Sequence, residues 1–152
     1  MRIKNKSILN AEEQIIIFVA DVNGFANKGT VKKIFDYFNI RDEVEKYLQN
    51  YTKEEILGSI QSIILPNYEK IVICMYAQDI CGKSNSISGG IDFEALEMCL
   101  LNVSRKCKAP IALSFRHGNY LTEKEEEKII NLCYKILEDK NNVTLYVGDK
   151  NE

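Results

Sequence analysis

The pattern that most constrains this chain is an alternation of short apolar runs with longer segments that are apolar on one side only. The runs are Ile15 to Ala20, Ile60 to Leu65, Ile71 to Tyr76 and Ile111 to Phe115. Each has the length of a strand and reads as continuously apolar, as strands covered on both faces do. A fifth run alternates Val143, Leu145 and Val147 with Thr144 and Tyr146, which predicts a strand with one more exposed face or a place nearer an edge.

The one-sided segments are helices by their spacing. Val31, Ile34, Phe35 and Phe38 recur after Gly29; Leu96, Cys99, Leu100 and Val103 follow from about Asp92; Ile129, Leu132, Cys133, Ile136 and Leu137 follow from about Glu123. Apolar residues three and four apart fall on one helix face. Thr122 and Glu125 mark the start of the third as a capping box, in which each side chain satisfies the other residue's backbone N–H. The acidic run Glu123 to Glu127 reads as its solvated first turn. A shorter helix is predicted over Asp42 to Asn50, with Val44, Tyr47 and Leu48 inward. Strands alternating with helices predict the α/β class, a three-layer α/β/α sandwich around a largely parallel or mixed central sheet. With no internal repeat, low-complexity tract or linker, residues 1–152 read as one domain.

Charge and cysteine usage narrow the function classes. A formal net charge of -2 supplies no field to attract nucleic acid. The local patch Lys28, Lys32 and Lys33 reads as the solvated face of the first helix. No stretch is long and apolar enough to span a membrane, and Met1-Arg2-Ile3-Lys4 lacks the apolar core of a signal peptide, so a cytoplasmic protein is expected. The five cysteines have no Cys-x-x-Cys spacing and the chain has one histidine, which argues against a disulfide framework and against a metal site. No cofactor is expected. Cys74, Cys99 and Cys133 fall on apolar runs or faces as core thiols, and Cys81 lies in a loop.

Ligands of such folds bind beyond the carboxyl ends of the strands, where three loops qualify. In the first, 21–30, Gly24 and Gly29 allow backbone N–H groups to approach a ligand, and the following helix N-terminus favours a phosphate. The second, 114–120, gathers Arg116, His117, Gly118, Asn119 and Tyr120 after a strand. The third, 78–90, is long and rich in serine, asparagine and glycine.

At these loops the chain resembles the macro domain family, in particular its compact branch of ADP-ribose-1''-phosphate phosphatase-like and terminal ADP-ribose glycohydrolase-like proteins. Val22-Asn23-Gly24 with Asn27-Lys28-Gly29-Thr30-Val31-Lys32-Lys33-Ile34 resembles the family's first glycine loop and helix start. Leu57-Gly58-Ser59-Ile60, Tyr76-Ala77-Gln78 and Ile111 to Phe115 followed by Gly118 resemble later family segments. The most specific match is Ile91-Asp92-Phe93-Glu94-Ala95-Leu96, which is similar to a Thr-Asp-Tyr-Glu-Ala-Leu helix start. The resemblance implies ADP-ribose or a related nucleotide as ligand, with Asn23, Gly24, Gly29, Thr30 and Val31 in the first loop and Gly118 in the second. Asn27, Gln78, Arg116, His117, Asn119 and Tyr120 complete the candidate set from their places in the loops.

The chain also departs from that pattern. Lys6-Ser7 stands where the family has an adenine-binding Gly-Asp, Asn27 replaces a loop glycine, and Gly118 is the only glycine of the second loop. Three functions therefore stay open. The first is a binding module for ADP-ribose. The second is a domain that has kept the fold and acts through a protein partner. The third is a hydrolase or phosphatase acting on an ADP-ribosylated protein or on ADP-ribose-1''-phosphate, with Asn23 and His117 as catalytic candidates.

Overall fold

The computed structural model describes residues 2–82, 90–114 and 121–148. The strands are β1 (Arg2–Lys4), β2 (Ile15–Asp21), β3 (Ile60–Leu65), β4 (Lys70–Gln78), β5 (Ile111–Ser114) and β6 (Val143–Tyr146); the helices are α1 (Gly29–Phe38), α2 (Arg41–Asn50), α3 (Lys53–Ile56), α4 (Phe93–Lys106) and α5 (Glu123–Asn141). One six-stranded sheet runs β1-β6-β5-β2-β4-β3. All neighbours are parallel except β3, which lies antiparallel to β4 at the edge. The sheet is therefore mixed.

The two-residue period of a strand sends β2 to both faces at once. Ile16, Phe18 and Ala20 join Val72, Cys74 and Tyr76 of β4 beneath α1 and α2, while Ile15, Ile17 and Val19 join Ile73 and Met75 beneath α4 and α5. Every residue of β2 is buried, which is why its run is uninterrupted. Two helical layers enclosing one sheet make the predicted three-layer sandwich.

α4 and α5 start where the sequence places them, and α5 with the predicted capping chemistry. Asp92 Oδ1 accepts from Ala95 N–H at 3.0 Å, and Thr122 with Glu125 forms the capping box. Thr52 and Glu55 form a second such box at α3, an element the sequence reading did not place.

Two expectations need correction, and one strand went unseen. Ile60 to Leu65 is not covered on both faces: Gln61 and Ser62 interrupt the run, and Ile64 is 71% exposed. For β6 the second of the two expected alternatives holds: it lies next to the edge, where β1 pairs alongside it, and all four of its residues are buried. β1 itself went unseen because two of its three residues are charged. Within the acidic run, Glu125 and Glu126 are buried rather than solvated, Glu125 turning back to cap Thr122. Among the described residues no helix is long and apolar enough to cross a membrane.

Candidate functional site

β2 and β4 run parallel and end side by side, with Asp21 opposite Gln78. Beyond them the backbone of two loops is fastened by carboxylates. Asp21, 1% exposed, accepts through Oδ2 from the N–H groups of Asn23 (2.9 Å) and Phe25 (3.3 Å), and through Oδ1 from Ile80 N–H (2.8 Å). A single carboxylate thus joins the loop after β2 to the loop after β4. Burial raises its pKa, against the opposing pull of the Ile80, Phe25 and Asn23 donors.

Asp79 is the second fastening. Its Oδ1 accepts from Asn23 Nδ2 at 2.9 Å and from Lys53 Nζ at 3.2 Å. Burial alone would raise this carboxyl, but the Asn23 and Lys53 hydrogen bonds and the lysine charge outweigh it and hold it below the ordinary range. Asp79 N–H donates to Gly90 O at 2.8 Å. Gly90 sits at φ +76°, and a Cβ there would lie 2.3 Å from Asp79 O, so only glycine fits. At Gly24 φ is +82°, and the loop folds over Leu48.

α1 begins, among the described residues, without a side-chain cap. Its N-cap, Lys28, makes no side-chain cap and no acidic residue stands in the first turn. The first N–H groups of a helix lack intrahelical acceptors and carry partial positive charge. Gly29 takes φ +68° at the entrance. Thr30 follows, 1% exposed, and its Oγ1 has no hydrogen-bond partner among the described residues. A buried orphan hydroxyl is costly and calls for an explanation.

Beside the loop opens a cavity of about 470 Å³, between Asn23-Gly24 and the α1–α2 pair. Phe35, Val44 and Leu48 give it an apolar wall, and Asn23, Arg41, Glu45 and Gln49 a polar rim. Arg41 lies over the Phe35 ring at 5.4 Å and donates to Asp36 and to Ala26 O. It therefore braces the loop from outside.

A scan against protein-family models finds no match, and a search of curated proteins finds none either. Solved structures do match. A Bacteroides thetaiotaomicron protein is 17% identical with a TM-score of 0.78, covering 97% of this chain and 99% of its own. The macrodomain of Mycobacterium tuberculosis DarG is 14% identical with a TM-score of 0.68, over 97% of this chain and 98% of its own. Thermosipho africanus DarTG in complex with ADP-ribose is 12% identical with a TM-score of 0.69, over 95% of this chain and 40% of its own. This chain has the macrodomain fold.

On that fold the predicted first-loop residues gather at the ends of β2 and β4. Asn23 is bound to both aspartates, Gly24 and Gly29 take positive φ, and Thr30 and Val31 are buried in the first turn of α1. Asn27 is exposed. Gln78 is fully buried, and its carbonyl accepts from Val22 N–H at 2.8 Å, so it shapes the strand end from within. Ser7, standing where an adenine-binding carboxylate was expected, uses its Oγ to accept from Leu9 N–H at 3.3 Å. Arg116, His117, Gly118, Asn119 and Tyr120 lie outside the described residues. Lys53 was not part of the predicted site, and the sequence offers Asp79, like Asp21, only as a strand-end carboxylate without support from the family pattern. The Thr52-x-x-Glu55 capping pattern would have located the helix that carries Lys53, but nothing local points it at Asp79.

Proposed function

We propose that this chain binds ADP-ribose or a related nucleotide diphosphate, with the diphosphate at the N-terminus of α1. The observation that carries this reading is the first turn of α1: Gly29 at positive φ, no side-chain cap, and a buried Thr30 hydroxyl with no partner among the described residues. Two diphosphate charges would satisfy helix N–H donors and Thr30 together. The loop that presents this turn is held from behind by Asp21 and Asp79, which spares the ligand the ordering cost of the loop. The macrodomain fold adds support, because one structure of that fold is described in complex with ADP-ribose.

Calorimetric titration with ADP-ribose tests the reading. Binding weakened by Thr30→Val is expected; no heat and no thermal shift at millimolar ligand refutes it. An ADP-ribosylated protein would present the same group and act as the macromolecular partner.

A hydrolytic reading has one observation in its favour. Asp79 is a partly exposed carboxylate beside Asn23, with the Lys53 amine at 3.2 Å, so a charged pair stands at the strand end. Release of ADP-ribose from a modified protein, lost in Asp79→Asn while binding of free ADP-ribose persists, would support catalysis over binding alone. Asn23 and His117 keep their place as candidates under this reading.

A further inference from the structure

The two edges of the sheet differ in character. β1, Arg2-Ile3-Lys4, carries two cations, and Lys4 pairs with Glu12 at 3.0 Å. β3, Ile60-Gln61-Ser62-Ile63-Ile64-Leu65, carries no charge at all. Among the described residues β3 pairs only with β4. Tyr76 N–H donates to Ser59 O at 3.0 Å. Antiparallel ladders alternate, so Gln61, Ile63 and Leu65 occupy the bonded positions against β4. The N–H and C=O groups of Ile60, Ser62 and Ile64 face outward.

The side chains of those same three residues share one face of the sheet. Ile63 points the other way, into the core under α1 and α2, whereas Ile60 packs with the α4–α5 core. Ile64, on the α4 side, is 71% exposed, and Met98 of α4, which reaches Gly58 just before β3, is 56% exposed. An uncharged edge with an open hydrogen-bonding row and an exposed isoleucine is a template for another strand. Protected edges carry charges, as β1 does.

We propose that β3 pairs antiparallel with β3 of a second copy of this chain, about a two-fold axis through Ser62, joining two sheets into one. The register follows from the outward-facing residues. Ser62 stands opposite the partner's Ser62, and Ile60 opposite the partner's Ile64 and the reverse. Three bonded pairs give about six backbone hydrogen bonds, and each Ile64 is covered by an isoleucine instead of water. No like charges meet across the axis, because the strand has none. This self-match of Ile60, Ser62 and Ile64 is what favours a second copy over an unrelated strand, and a two-fold contact closes on itself without forming fibres.

Sedimentation of the full chain over about a hundredfold concentration range reads the equilibrium. The average mass is expected to rise from 17.4 kDa toward twice that value. Ser62→Lys, which sets two ammonium groups opposite each other, and Ile64→Lys should both stay monomeric, melting as the wild type does at concentrations where it too is monomeric. Register is tested by cross-linking in a Cys81→Ser background. Opposite Cα atoms of a bonded antiparallel pair lie about 5.5 Å apart, within disulfide reach. Ser62→Cys should form a linked homodimer under mild oxidant, Ile64→Cys alone should not, and a mixture of Ile60→Cys with Ile64→Cys should link as a heterodimer. A monomer at every concentration overturns the proposal. So does a dimer indifferent to both lysine variants, or equal cross-linking by Ser62→Cys and Ile64→Cys.

Discussion

Replacing Thr30 by valine separates what the protein gains in folding from what it gains in binding. Valine keeps the branched shape and removes the hydroxyl, and the two residues have similar helix propensity. Thr30 is 1% exposed and its Oγ1 is unpartnered among the described residues, so the hydroxyl lost its water on folding without compensation. Such a group costs roughly 1–3 kcal/mol. Thr30→Val should therefore stabilise the free protein by about 1–2 kcal/mol, raising Tm by about 2–8 °C for a chain of this size. The ligand responds in the opposite sense. A hydrogen bond to a charged phosphate is worth about 1.5–3 kcal/mol, so ADP-ribose affinity should fall roughly 10- to 150-fold. Scanning calorimetry and isothermal titration on the same preparation read both numbers. A lower Tm would mean that the hydroxyl is satisfied in the free protein. A raised Tm with unchanged affinity would mean that the orphan does not serve a ligand.

The other expectations concern the loop fastenings and the thiols. Gly90→Ala forces a Cβ to 2.3 Å from the Asp79 carbonyl oxygen at φ +76°; a loss of roughly 3 kcal/mol in urea melts is expected, and wild-type stability would refute the cause. Asp79 has a folded pKa below its reference of 3.8, so its stabilising contribution is present above that pH and disappears as pH falls through the folded value. Comparing urea midpoints at about pH 5 and about pH 3, the wild type should lose more stability than Asp79→Asn, and parallel losses would refute the assignment. Asp21 has the opposite sign: its raised pKa means that ionisation disfavours the fold as pH rises from 3.8. For the thiols, burial pushes Cys74, Cys99 and Cys133 up to about 12, while Cys81 is exposed and Cys107 half-buried. Native Ellman titration should show one fast thiol, abolished by Cys81→Ser, with the three buried thiols reacting only on unfolding.

Much of this architecture was legible because burial leaves a period in the sequence. α1, α4 and α5 each bury one stripe, and β2 is buried on both faces, so their residues are sorted by position. Where burial is partial the signal fades. β1 is short and charged, α3 is one turn long, and β3 is only partly buried, with Gln61 and Ser62 breaking its apolar run. The first candidate loop was legible from Gly24 and Gly29, both of which take positive φ. Its anchoring was not, since Asn23 meets Asp79 across 56 residues of chain, and no local pattern records a meeting at that distance. Ser7, a departure from the family pattern already visible in the sequence, caps its own short turn through its Oγ.

The central place of β2 also has a consequence for the order of events during synthesis. Its partners on either side, β4 and β5, are encoded far downstream, and parallel pairing admits no hairpin shortcut. When β2 leaves the ribosome it is an apolar segment with nothing to pair with, and 57 residues pass before β4 is complete and 93 before β5 is. The strand that organises the finished fold is thus the most vulnerable segment of the nascent one, a natural client for a chaperone until β5 arrives.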